Sequence, residues 1–272
     1  MTASVLILAL FVEEATDERF LPIIVRRTAE ALLAARGRIS VAVLDPLAIN
    51  HGIKRRFNAQ EERIVEAARI ARGYHALLIH ADADDATRDR ALNERFLLGF
   101  ERVKALNEGV CDVLVPVIPI CMVEAWMLAD PDALRVVVGT KIDAQELGLP
   151  LTARDIESDR HPKVTLERAV SSAFADRPRR QRRRRVHVSE IIEPLAQRIR
   201  LERLDALSAY SAVQGRSVPG AYRWAIGGVI QRQEKVRMGG FGDRQKPGEL
   251  RSDIPLRWPL VHGGIPVAER RL

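Results

Sequence analysis

Cysteine is nearly missing: the 272 residues include two, Cys111 and Cys121. They flank the apolar segment DVLVPVIPI and match neither the CxxC spacing of a redox pair nor the spacing of zinc ligands. That argues against thiol redox chemistry and a zinc site, and both thiols read as small buried groups. Long apolar runs are missing too. No stretch approaches the roughly 20 residues that a membrane-spanning helix needs, and VLILAL near the start has no basic leader and no cleavage-site pattern. The expectation is a cytoplasmic protein with no membrane partner. No internal repeat is visible.

A hydrophobic content of 47% in a chain of this length supplies the core of one large domain, or of one domain with an appendage. The formal net charge of +7 favours polyanionic partners and says nothing about fold.

Residues 4–12 are apolar and β-prone. TDERFLPIIVRRTAEALLAARG then reads as a helix with Thr16 as N-cap, Asp17 and Glu18 suiting its positive end, Pro22 tolerable only near its first turn, and Gly37 as its stop. ISVAVL and HALLIH read as strands, AQEERIVEAARIARG and ATRDRALNERFLLGFERVKALN as helices, and DVLVPVIPI as a fourth strand. Strands apolar on both faces, alternating with amphipathic helices, predict an α/β domain over residues 1–140, a mostly parallel sheet flanked by helices. A helical extension follows over 141–214, interrupted by the arginine-rich loop RPRRQRRRR. From 215 to 272 periodicity fades into a basic stretch rich in Gly, Pro and Arg, read as a poorly ordered tail.

The stretch HADADD, at the end of the third strand, sets three carboxylates within four residues, each raising the cost of ionising its neighbours. Such crowding calls for a cation or a cap. In an extended segment Asp82 and Asp84 point the same way while Ala83 points oppositely, so the two acids can face one cavity. Glu13 and Glu14 follow the first strand and Glu124 comes just after the fourth. Hard oxygen donors converging at neighbouring strand ends are what Mg²⁺ or Mn²⁺ requires. The plainer alternative is that Asp84 or Asp85 caps a helix beginning near Ala86, and for Asp85 the cap is preferred. Glu124 reads equally as a ligand or as the partner of an arginine such as Arg19 or Arg88. His80, beside the acidic loop, has the chemistry to orient a carboxylate or contact phosphate, but the preferred reading is a strand-end histidine satisfied by a backbone group, and Trp126 reads as core.

VLILALFVEEATDERFL followed by HALLIHADADD resembles the Toprim pattern, in which an acid ends the first strand and a DxD pair ends a later one. IPICMVEAWMLAD and HPK further resemble a family of Toprim-like bacterial proteins related to the nuclease part of overcoming-lysogenisation-defect proteins, over about residues 5–213. The resemblance matches Glu13 to the Toprim glutamate, Asp82 and Asp84 to its DxD pair, Glu124 to the acid of the VEAW element, and Lys163 to the lysine of the PK element. It implies a Toprim-like sheet and Mg²⁺- or Mn²⁺-dependent cleavage of nucleic-acid phosphodiesters. Glu13, Asp82, Asp84 and Glu124 would hold the metal, and Lys163 would stabilise developing phosphorane charge. It also implies an ATPase partner and a link to phage defence. The family usually has glycine after the first acid, and Glu14 stands there instead. That implies a reshaped turn, reduced phosphate access or an added ligand.

Topoisomerases of this type use a tyrosine, but Tyr74, Tyr210 and Tyr222 have no motif around them, so hydrolysis is expected over strand transfer. In the arginine run, Arg179, Arg180, Arg182, Arg183, Arg184 and Arg185 are candidate contacts to a nucleic-acid backbone, DNA in the first instance. Their plain alternative is a solvated loop or a contact with an acidic partner. Two other functional readings stand beside the nuclease: an inactive nucleic-acid-binding or ATPase-regulating subunit, and a receiver-like phosphotransfer domain. The last leaves the DxD pair and the helical extension unexplained.

Overall fold

The computed structural model describes residues 4–12, 14–37, 41–50, 52–84, 87–106, 108–175, 187–215 and 226–231. The first apolar run forms two collinear pieces, β1 (Ser4–Leu6) and β2 (Leu8–Phe11). Between them Ile7 donates its N–H to His75 Nδ1 (2.9 Å) and accepts from the His75 N–H (3.0 Å), so a side chain replaces one rung of the ladder. The second run is also split, into β3 (Val41–Val43) and β4 (Leu47–Ala48), around Pro46, which has no N–H to donate. The other strands are β5 (Ala76–His80) and β6 (Leu114–Val117).

The helices of the sheet region are α1 (Ala15–Ala35), α2 (Ile53–Arg56), α3 (Gln60–Ile70), α4 (Arg88–Arg95) and α5 (Leu97–Ala105). Beyond β6 come α6 (Glu124–Met127), α7 (Pro131–Val138), α8 (Ala153–Ser158), α9 (Pro162–Ala175), α10 (Val188–Arg198), α11 (Leu201–Leu204) and α12 (Ser208–Gln214). Residues 226–231 are helical as well.

Every strand pair is parallel. The order is β4-β2-β5-β6, with Phe11 opposite Ile79 and Ile79 opposite Pro116, while β1 pairs with β3. The chain moves to one side of β2 for β4 and to the other for β5. The crevice beyond the carboxyl ends of β2 and β5 is therefore a switch point, where sheets of this kind accept ligands.

Both faces of the sheet are covered, as the unbroken apolar runs predict. Leu8, Leu10, Ala76, Leu78, Val115 and Val117 face one core with α1 and the helices that follow β6. Ala9, Phe11, Leu77, Ile79 and Leu114 face the other, with α3 and α5. The first core runs without a break into the extension, through Trp126, Leu166, Leu195 and Tyr210. Ile226, Val229 and Ile230 belong to it too, so part of the segment read as a tail is helical and buried. Asp130 ties α7 to the end of α10. Fully buried, it accepts from Ala133 N–H (3.2 Å), Arg200 N–H (3.0 Å), Arg200 Nε (2.8 Å) and Arg200 Nη2 (2.6 Å). Burial alone would raise its pKa, but the Arg200 side chain and these N–H donors outweigh it and hold the carboxyl below its usual range.

Several local expectations need correction. Helix α1 is capped by Glu14, not Thr16, and it continues through Pro22 in its interior. Its lower limit is thus set by the strand end, while Gly37 at φ 67 stops it as expected. The helix expected from about Ala86 begins at Arg88, where the Thr87 hydroxyl accepts from Arg90 N–H (3.3 Å), so Asp84 is not its cap. It breaks at Phe96, whose φ of −121° leaves the helical range. Elements β4, α2 and α8 have between two and six residues, too few to show a period.

Candidate functional site

The alternation of β5 continues past its last rung. Ala81 N–H bonds to Val117 O (3.2 Å) and Ala83 N–H to Pro119 O (3.1 Å), so the chain stays extended as far as Ala83, and the Asp84 N–H then turns to the same side, to Cys121 O (3.2 Å). Ala81 and Ala83 are buried in the core on the α3–α5 side. His80 and Asp82 consequently share the opposite face, whereas at Asp84 the backbone turns to the left-handed region (φ 51), so alternation does not carry the two aspartates to one face. Exposure rises along the segment, from none at His80 to partial at Asp82 to open at Asp84. Asp84 (φ 51) and Cys121 (φ 64) face each other in an isolated antiparallel bridge, both in the left-handed region. Such backbone costs a non-glycine residue energy and collects at functional sites.

His80 joins the DxD to the first helix. Its Nε2 lies 3.1 Å from Asp82 Oδ1, and its Nδ1 lies 3.3 Å from Asp17 Oδ2, aligned too poorly for a hydrogen bond. Asp17 is placed by the turn that starts α1, where the same Oδ2 accepts the Glu14 N–H (2.9 Å). Burial opposes charge on His80, but the two aspartates outweigh burial and push its pKa up to about 9. The ring is an imidazolium at neutral pH. Asp82 is pushed up by burial, and by the like charges of Asp17 and Asp84, against the pull of His80.

A second cation serves the outer aspartate. Arg95, at the last turn of α4, donates Nη1 to the Asp82 carbonyl (2.7 Å) and Nη2 to Asp84 Oδ2. From the far side of β6, Glu124 opens α6 and is buried. Its pKa is raised by burial and by Asp82 and Asp17, with Lys163 pulling the other way. Lys163 sits exposed in the first turn of α9. Of the arginines considered as partners for Glu124, Arg19 pairs with Glu193 (2.8 Å) and Arg88 with Asp89 (3.7 Å).

Asp82 and Asp84 thus lie beyond β5 with His80 and Arg95 on them and Asp17 behind His80, and Glu124 feels the charges of Asp82, Lys163 and Asp17. Sequence reasoning gave Asp17 only a role at the helix dipole and His80 a backbone partner, and it passed over Arg95. The position of Asp17, three residues past the cap, was a usable signal, because that spacing returns a side chain to the strand end. Arg95 had none, since its reach to Asp84 depends on how α4 packs. Glu13, Asp85, Tyr222 and the run from Arg177 to Arg185, with Arg179, Arg180, Arg182, Arg183, Arg184 and Arg185, lie outside the described residues. Glu14 is exposed and extended, at φ −127° and ψ 164°, a conformation open to any residue, so this turn has no need of glycine. Tyr210 is fully buried, paired with the Thr28 hydroxyl (2.6 Å) and packed edge-on against Trp126, which suits structure and not nucleophilic attack. Cys111 is buried as expected, with its thiol pushed up to about 11 by burial. Cys121 is only half-buried.

The donors suit a hard divalent cation in kind, all being carboxylate oxygens at one sheet edge. Among the described residues, however, no three His, Cys, Asp or Glu side chains are gathered closely enough to hold a metal. One oxygen of Asp82 is engaged by His80 and one of Asp84 by Arg95. The like-charge crowding in HADADD is met here by cations of the chain itself. Comparison with protein-family models, curated proteins and solved structures finds no match. Among the described residues no helix is long and apolar enough to cross a membrane.

Proposed function

We propose that this chain is a Toprim-like, Mg²⁺- or Mn²⁺-dependent nuclease that hydrolyses nucleic-acid phosphodiesters, DNA in the first instance, in phage defence or DNA processing beside an ATPase partner. One observation carries the reading. Asp82 and Asp84 sit just beyond the end of β5, beside the switch point of a parallel sheet, and Arg95 joins them, while Asp82 and Lys163 both act on the charge of Glu124. The Toprim assignment rests on the motif resemblance together with that juxtaposition.

In this reading Glu13, Asp82, Asp84 and Glu124 would hold the cation, which would supply an activated water and neutralise charge on the departing oxygen. The remaining roles belong to the chain. The Asp17–His80 pair fixes Asp82 from behind, because a buried imidazolium between two carboxylates resists rotation of either. Lys163, exposed beside Glu124, meets the charge that develops on the phosphoryl oxygens. The arginine run of residues 177–185 holds the backbone without sequence preference, with affinity falling steeply as salt rises.

A second reading, an inactive nucleic-acid-binding or ATPase-regulating subunit, has its own support. His80 and Arg95 already engage Asp82 and Asp84, so the acids are balanced without a metal. The test is incubation of the full chain with supercoiled plasmid and with single-stranded DNA, in Mg²⁺, Mn²⁺ or EDTA, alongside an Asp82→Ala/Asp84→Ala double variant. Metal-dependent cleavage lost in the variant is the expected result. Salt-sensitive DNA binding with no cleavage under any condition, an ATPase partner included, would sink the nuclease and leave the regulatory subunit.

A further inference from the structure

We infer, resting on the nucleic-acid reading above, that the short basic helix α2, with Lys54, Arg55 and Arg56, is a contact for the phosphate backbone and seats it along the carboxyl edge of the sheet. Helix α2 follows β4 and the DxD follows β5, and these strands flank β2 on its two sides, so both segments leave the sheet at the same edge. Asn50 fastens the turn there. Its Oδ1 accepts the Val12 N–H just past the end of β2 (2.9 Å), its Nδ2 donates to Glu18 in α1, and its carbonyl accepts the Ile53 N–H (3.3 Å). Gly52, at φ 75, makes the reversal that a side chain would resist. Ile53 is fully buried in the core that also holds Ala81 and Ala83. At the other end of α2, Arg63 donates Nε to the Phe57 carbonyl (2.9 Å). The helix is thus anchored on both sides of its cations.

What it exposes is charge. Arg55 and Arg56 are exposed and Lys54 is half-buried. Arg55 has no hydrogen bond or ion pair among the described residues, and Arg56 stands 3.5 Å from Glu66 and 5.8 Å from the centre of the Phe57 ring. With Ile53 buried and Phe57 half-buried against Arg56, the turn offers a partner little of the apolar surface found at the centre of a protein interface. Successive helical positions diverge by about 100°, so three cations in a row suit the spaced charges of a backbone better than a single carboxylate. The acidic edge needs such a surface, because Asp82 and Asp84 repel a polyanion while His80 and Arg95 are already engaged with them. A backbone brought to this edge must be held by cations outside that set, and α2 supplies them through the counter-ion release that follows when phosphates are neutralised.

The test is fluorescence anisotropy of labelled duplex and single-stranded DNA titrated with the full-length protein in EDTA over a range of NaCl, with each fold checked by circular dichroism. Lys54→Gln/Arg55→Gln is compared with wild type and with Arg198→Gln/Arg203→Gln, a control that removes the same charge from exposed positions in α10 and α11. The α2 variant is expected to bind about tenfold more weakly at about 0.1 M salt, and the slope of log affinity against log salt should be shallower by about 1 to 2. The control should stay close to wild type. An α2 variant unchanged in affinity and slope, or a control that loses as much, overturns the α2 contact and leaves the nucleic-acid reading intact. No DNA binding by wild type overturns that reading and the contact with it. If the double variant does not fold, Arg55→Gln, which gives up no hydrogen bond or ion pair among the described residues, decides against wild type and Arg198→Gln, with an expected slope change of about 1.

Discussion

At the scale of residues the acidic site is a problem in charge, and His80 is where it is solved. A histidine with no solvent exposure would ordinarily be neutral, since burial disfavours its cation. Asp17 from α1 and Asp82 beyond β5 reverse that and push its pKa up to about 9. The sign of the consequence follows from linkage. A histidine whose pKa is raised on folding gives its full stabilisation below the unfolded value near 6.5 and loses it as pH rises through about 9. The metal-free protein, held in EDTA, should therefore lose on the order of 3 kcal/mol between about pH 6.5 and pH 9. His80→Gln should be less stable at pH 6.5 and show a flatter profile over the same interval. Urea melts at several pH values measure both, and an unchanged slope in the variant would show that this charge is not what holds Asp82. That Asp82 stands opposite Ala81 and Ala83 was legible because a period of two needs no knowledge of the fold; the turn of the backbone at Asp84 was not. The charged groups around the two aspartates were not legible either, because Asp17 and Arg95 arrive through the packing of α1 and α4.

At the scale of elements, legibility follows length and uniformity. HALLIH was readable as a strand because it is apolar on both faces, and every residue of β5 is buried. The helices α1 and α3 were readable because they are long enough to show a period. Breaks were harder: Pro46 divides the second strand and Phe96 divides a helix whose apolar pattern runs through it. Gly99 explains how α5 packs so near α3. A methyl group placed there would sit 2.9 Å from Ile64 Cβ and 2.7 Å from its Cδ1, too close for either helix to keep its position. In an open helix, alanine for glycine gains up to about 1 kcal/mol. Here overpacking at about 1 to 3 kcal/mol outweighs that gain. Gly99→Ala should thus lower stability by about 1 kcal/mol or more in chemical denaturation, and Gly99→Ala combined with Ile64→Val should recover part of the loss. A stabilised single variant would mean that α3 and α5 separate at little cost.

For the whole molecule, the boundary suggested near residue 140 marks a change of pattern along the chain and not a gap in the core. Leu78 in β5, Leu195 in α10 and Ile230 in the last helical stretch belong to one hydrophobic cluster. α10 packs along α1, where Arg27 bridges them by donating to the Ala196 and Ile199 carbonyls at 2.5 and 2.7 Å. A helical layer that covers one face of the sheet is needed by that sheet, since Leu8, Leu10, Ala76 and Leu78 would otherwise lie open to water. The sheet and the extension should accordingly unfold together. Leu78→Ala and Leu195→Ala, one on each side of the proposed boundary, should each cost about 2 to 5 kcal/mol. Each should shift one common transition, seen equally by far-ultraviolet circular dichroism and, with Trp224 and Trp258 replaced by Phe, by the fluorescence of buried Trp126. Two transitions, with Leu195→Ala moving only one, would show that the extension is an independent unit docked on a sheet able to stand alone. A single transition would place the acidic site inside one cooperative body, with α6 and α9, which carry Glu124 and Lys163, held by the same core that holds the strands.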